Sequence, residues 1–190
     1  MTDTRAPSHD DILAATRHWL ARAVIGLNLC PFAKSVYVKE QVRYAISEAA
    51  TLEDALADLE AELRLLEAAD PKQVDTTLAI YPRAFADFVD YNDALFFADR
   101  LVRQLKLDGV LQIASFHPDY RFEGSEPDDI ENYTNRAPYP ILHLLREDSI
   151  ARAVGTFPDA SAIYEKNQDT LRRLGHDGWR DWMSRAGDDV

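Results

Sequence analysis

GVLQIASFHP, residues 109–118, is the stretch on which the fold turns. It is apolar nearly throughout and bounded by Gly109 and Pro118. Such a run reads as a strand buried on both faces, which predicts a place at the centre of a sheet. Upstream, residues 85–107 carry an amphipathic helical pattern, and DTTLAIYP, residues 75–82, is a strand before it. Downstream, DYRFEGSEPDDIENYTNRAPYP, residues 119–140, has no clean periodicity, and ILHLLRE, residues 141–147, reads as a further strand. No helix separates that strand from 109–118, so an antiparallel pair is expected there. Elsewhere strands alternate with helices, which favours parallel pairing with helices packed on the sheet. The predicted fold class is α/β: a single domain with a mixed sheet of about four strands.

Towards the N-terminus, residues 1–7 read as a loose leader, and Ser8 with Asp11 as a capping box. Ile12, Ala15, Trp19, Ala23 and Leu27 then recur at helical spacing until Gly26 and Pro31 stop the helix. The residue before a proline avoids helical geometry, so Cys30 is expected in a turn. Val42, Tyr44 and Ile46 alternate with Arg43, Ala45 and Ser47 as a strand. A leucine-lined helix follows, opening on a second capping box from Thr51 to Asp54, with its acidic side read as a solvated face. Asp159 to Gly175 predicts a C-terminal helix, and a short one around Trp179 and Trp182 ends the chain. Residues 1–190 are expected to form one domain.

Composition narrows the partners. The chain has 33 acidic residues against 21 Lys and Arg, for a formal net charge of -12. That field repels phosphate backbones and anionic membranes, so neither nucleic acid nor a membrane is an expected partner. One cysteine among 190 residues forms no internal disulfide, the N-terminus has no apolar signal core, and no apolar run reaches a membrane span. A soluble cytoplasmic protein is expected.

The aperiodic segment is the most informative feature, because structureless loops of such length inside compact domains are usually functional or disordered. Tyr120, Phe122, Tyr133 and Tyr139 supply aromatic anchors, which predicts an ordered loop. His117 opens it at the carboxyl end of a strand, where α/β sheets form ligand crevices. Asp119 could orient its imidazole and favour the protonated form; the competing reading is a histidine hydrogen-bonded to backbone. His143 reads as a core or sheet-face histidine that could share a face with His117. Arg121 and Arg136 have the fork geometry to clamp a substrate carboxylate, or to pair within the loop. Tyr133, Asn135 and Asn28 complete the candidate binding set.

Cys30 is the other focus. Lys34, Lys39 and Arg43 nearby would lower its pKa, whereas the end of the preceding helix disfavours an anion. Three chemistries compete. A Cys30–His117 pair, with Asp119 or Asn135 orienting the imidazole, suits acyl or related group transfer. A metal-dependent hydrolase site from His117, Asp119 and Glu123 matches no strong ligand motif. The Cys-Pro dipeptide could offer haem an axial thiolate. The sequence has no P-loop, no G-x-G-x-x-G and no G-x-S-x-G.

VIGLNLCPFAK, ASFHPDYRFEG and NYTNRAPYPILHLLREDSI together resemble the bacterial family catalogued as domain of unknown function 1415, over about residues 19–174. The resemblance implies no particular reaction. It groups Asn28, Cys30, Pro31 and Phe32 with His117, Asp119 and Arg121, and with Tyr133, Asn135, Arg136 and His143. Where the family often carries Ser, this chain has Ala137, which removes a nucleophilic hydroxyl there.

The leading expectation is an enzyme acting on a small anionic metabolite between the Cys30 turn and the His117–Arg136 loop. His117 would be acid or base, Arg121 or Arg136 the anion clamp, and Cys30 a wall or nucleophile. The rival is a non-catalytic binding or assembly factor that docks through the aromatic and acidic loop. No cofactor and no oligomeric state follow from the residues.

Overall fold

The computed structural model describes residues 6–155 and 161–185. The expected leader falls mostly on residues 1–5, and Asp159 too lies outside the described residues. Helix α1 (His9–Trp19) opens as predicted: the Ser8 hydroxyl accepts from the Asp11 N–H, and the Asp11 carboxylate accepts from the Ser8 N–H. Its continuation, Leu20–Ile25, is wound as a π-helix rather than ending cleanly, with Gly26 N–H donating to Ala21 O and Leu29 N–H to Val24 O, both at 2.9 Å. Next come α2 (Ala33–Val38), β1 (Val42–Ile46), α3 (Leu52–Ala68), β2 (Thr76–Ile80), α4 (Phe88–Gln104) and β3 (Leu111–Phe116). A 3₁₀ turn (Ile130–Thr134), β4 (Ile141–Arg146), α5 (Glu147–Val154) and α6 (Ser161–Ser184) follow among the described residues. The two predicted C-terminal helices are both present within α6, separated at Gly175, whose φ of 62° only glycine adopts freely.

The four strands form one mixed sheet in the order β1-β2-β4-β3. β1 and β2 are parallel, and β4 is antiparallel to both β2 and β3. The α/β expectation and the antiparallel pair are therefore observed, but β3 is an edge strand, not a central one. Hydropathy reports covered faces, whereas centrality is a matter of hydrogen-bonded neighbours. β3 needs no polar edge because the loop returns along it: Asn135 O accepts from His117 N–H at 3.2 Å, and Asn135 Nδ2 donates to Ser115 O at 3.0 Å. The fully buried strand is β2.

Strand alternation divides the core in two. One face carries Ala79, Leu111, Leu142 and Leu144 against Leu59, Leu63 and Leu66 of α3 and Tyr91, Ala98 and Val102 of α4. The other carries Leu78, Ile80 and Ile141 against Ile12 and Trp19 of α1 and Ala23, Val24 and Ile25 of the π-helix. α6 closes the top of the second face. Asn167 Nδ2 donates to Leu29 O, Trp182 Nε1 to Arg22 O, and the Trp182 ring lies under the Arg22 guanidinium at 4.2 Å.

Candidate functional site

His117 follows β3, so its side chain points to the α3/α4 face, and it is wholly buried. Both ring nitrogens are engaged by backbone. Nδ1 accepts from Asp119 N–H at 3.0 Å, which leaves Nε2 to donate to Phe85 O at 2.8 Å. These contacts fix one neutral tautomer. The ring packs between Phe88 and Tyr91 of α4, with centroids at 5.4 and 5.1 Å. Burial lowers the imidazole pKa against the opposing pull of Phe85 O, Asp119 and Asp87. Asp119 thus meets the imidazole through its N–H while its side chain is exposed. Asp119 therefore orients the ring, as expected, but through its N–H, and the pull of its charge towards the protonated form is outweighed by burial. Phe85 sits at φ 61°, a costly conformation for an aromatic residue, and the His117 bond helps hold it there.

Cys30 lies in the predicted turn but on the opposite face, packed against the α1 and π-helix cluster. The expected Cys30–His117 dyad is therefore not assembled. The sheet lies between the two residues, because His117 alternates with Phe116, which faces the Cys30 cluster. Burial raises the thiol pKa, opposed by the backbone N–H groups of Phe32 and Ala33, which bond the sulfur. The sulfur therefore faces the start of α2 as well as the end of the π-helix. Arg43, expected to help Cys30 ionise, is instead committed to Glu62 of α3 at 2.7 and 2.9 Å on the far side of the sheet.

The loop is ordered, as its aromatic content predicted. Asn132, fully buried, is its organiser. Its Oδ1 accepts from Phe122 N–H at 3.1 Å and Ser125 Oγ at 2.8 Å, while Nδ2 donates to Glu126 O at 2.8 Å. Arg136 ties the loop's two limbs together, donating to Tyr120 O and Pro127 O with its guanidinium 4.4 Å from the Tyr133 ring centroid. Tyr133 in turn meets Trp179 of α6 edge-on at 5.0 Å, and Arg172 of α6 pairs with Glu131 at 2.6 Å. Arg136, Asn135 and Tyr133, read as substrate ligands, are thus occupied in building the loop. Arg121 is exposed and forms no ion pair among the described residues. Asn28 is exposed at φ 55°, where it closes the π-helix turn.

His143 lies on the Cys30 face, opposite His117, because it pairs in register with Ala114. Thr76 Oγ1 donates to Leu144 O at 2.6 Å, so it accepts from His143 Nε2 at 2.7 Å. Burial pushes the His143 pKa down to about 4. Arg146, which sequence reasoning passed over, caps the end of α3 by donating to Leu66 O at 2.5 Å and Ala69 O at 2.8 Å. Its signal in the sequence was a lone cation closing an apolar strand.

Among the described residues no group of three or more His, Cys, Asp or Glu is placed to hold a metal ion. The His117, Asp119 and Glu123 set therefore fails as a metal site, with both His117 nitrogens already engaged. A cleft of about 160 Å³ lies beside Arg146 and Arg152, and an open concavity of about 480 Å³ runs along α6; neither reaches Cys30 or His117. No described helix is long and apolar enough to cross a membrane.

Residues 11–181 match the family described as Protein of unknown function (DUF1415). The chain belongs to that family. No curated protein and no solved structure matches it. In this DUF1415 chain the three stretches that carry the resemblance are divided between the two faces of the sheet, and the third runs the length of β4 into α5.

Proposed function

We propose that the chain is a non-catalytic binding or assembly factor, and that the outer edge of the 119–131 loop docks a basic partner. The observation that supports this reading is the Asn132 network. It holds the loop in one shape while Tyr120 and Phe122 are turned towards Phe88 and Tyr164 and the side chains of Glu123, Glu126 and Asp128 stay exposed; the Asp129 carboxylate is used within the loop, accepting from Glu126 N–H at 2.8 Å. A preformed surface loses little entropy on binding, and an acidic one attracts Lys- and Arg-rich segments. A soluble, cytoplasmic, single-domain protein fits this role.

The test is fluorescence anisotropy with a labelled Lys/Arg-rich peptide. Neutralising Glu123, Glu126 and Asp128 together should weaken binding by about tenfold or more. Neutralising Glu53, Glu60 and Glu67 on α3 should change it less than about twofold. Equal losses from both sets would reduce the attraction to net charge and sink the proposal.

The Phe32 and Ala33 N–H groups at the Cys30 sulfur favour a second reading, an enzyme in which Cys30 attacks a small anionic metabolite in acyl or related group transfer. Here alkylation of native protein against pH decides, with Cys30→Ala as the blank. A labelling midpoint below the free-thiol value of about 8.5 supports the nucleophile. A midpoint above it, the direction burial dictates, leaves Cys30 as packing.

A further inference from the structure

α4 is amphipathic in the usual way, with Tyr91, Ala94, Ala98 and Val102 buried. Its outward face is less usual. Phe96 and Phe97 stand side by side at 62% and 40% exposure, their rings in edge contact at 5.5 Å. Single exposed apolar residues need no explanation, but a contiguous aromatic pair on one helix does.

The charges around the pair are arranged about its midpoint. Asp93 and Arg100 are equally far from it along the helix, as are Asp90 and Arg103. At about 100° per residue Asp93 and Arg100 fall close to the line opposite the buried stripe, with the phenylalanines to either side. Among the described residues none of these four charged side chains forms an ion pair. The helix dipole accounts for an acid in the first turn and a base in the last, hence for Asp90 and Arg103. It does not account for Asp93 and Arg100 in the middle turns.

We propose that this face is an isologous interface between two copies of the chain, with the α4 helices antiparallel about a twofold axis between Phe96 and Phe97. Under that operation the Phe96–Phe97 pair of one copy packs on the same pair of the other, Phe96 against Phe96 and Phe97 against Phe97. Asp93 meets Arg100 and Asp90 meets Arg103, each pair occurring twice because a twofold axis repeats every contact. The parallel arrangement would set acid against acid and base against base, so the charges select the antiparallel one. A helix of this length spans about 25 Å. Two of them bury less than the roughly 1,200 Å² of stable complexes, so the dimer is reversible, with a Kd of about 10–100 μM.

Sedimentation velocity of the full chain from about 5 to 500 μM, a range set by that Kd, tests this. The wild-type species should shift from monomer to dimer and stop there, because an isologous contact closes. Phe96→Asp should remain monomeric throughout, with a circular dichroism spectrum matching the wild type. Asp93→Arg alone should weaken association by about tenfold or more, since it places like charges at both symmetry-related contacts. Asp93→Arg combined with Arg100→Asp exchanges the charges and should restore association to within about threefold of the wild type. A wild-type monomer at the highest concentration would overturn the proposal. So would a dimer indifferent to Phe96→Asp, or a charge exchange that fails to restore what the single reversal lost.

Discussion

The two faces of the sheet treat their histidines in opposite ways. On the α3/α4 face, His117 has both nitrogens tied to main-chain groups and its ring held by Phe88 and Tyr91. On the α1 face, His143 commits one nitrogen to the Thr76 hydroxyl, and among the described residues no partner meets the other. His117 fastens the 85 turn to the 119 turn. His143 is a titratable group kept neutral by its surroundings. A histidine at the carboxyl end of a strand is thus as well placed to join two loops as to meet a ligand, and its hydrogen-bond partners decide which.

If His117 is a fastener, His117→Ala should produce the largest loss. It leaves Phe85 O and Asp119 N–H unsatisfied, removes the brace on the φ 61° conformation of Phe85, and opens a cavity. We expect about 3–5 kcal/mol, read as a lower urea midpoint at constant m. A loss under about 1 kcal/mol would erase the contrast between the faces.

His143 sharpens the comparison through pH. Its folded pKa of about 4 lies below the unfolded value near 6.5. Between those values the unfolded chain binds more protons, so this contribution is present above about pH 6.5 and is lost as pH falls towards 4. Stability at about pH 5 should be about 2 kcal/mol below that at about pH 7 on this account, and His143→Gln should flatten that part of the profile. An unchanged slope in the variant would assign it to other groups.

A smaller effect probes the π-helix. A Cβ on Gly26 would stand 2.5 Å from Arg22 O and 3.1 Å from the Trp182 ring. Gly26→Ala should therefore cost about 1–3 kcal/mol by forcing α6 away from the turn, visible as faster amide exchange at residues 176–184. Smallest of all, Arg121→Ala on the exposed loop should change stability by less than about 0.5 kcal/mol in thermal unfolding.

Much of the fold was legible because it rests on periodicity. The Ser8–Asp11 cap, the strands at 42–46, 76–80 and 141–146 and the leucine stripe of α3 all follow from local pattern. The edge position of β3 was not legible, since an apolar run reports how its faces are covered and not how many neighbours it has. α2, the 3₁₀ turn and α5 are short or lack an apolar repeat, and so left little trace. Of the candidate site, the residues stand out in the chain but their relative placement does not. Cys30 and His117 are both conspicuous in the chain, yet a one-residue alternation at Phe116 and His117 sends them to opposite faces. Arg136 and Asn135 have the donors a ligand would need, but the loop's own carbonyls are closer.

The insertion of β4 between β2 and β3 bears on how the chain is made. β2 and β3 emerge from synthesis before β4, and in the finished sheet they never touch. Until residue 146 is available, each has an open edge facing a gap one strand wide. A nascent chain halted before residue 141 should thus hold α3 and α4 against strands that cannot yet be joined, and present two sticky margins to any passing strand. The sheet is completed by a wedge driven into its middle, and the interval before the wedge arrives is when its two open margins are exposed.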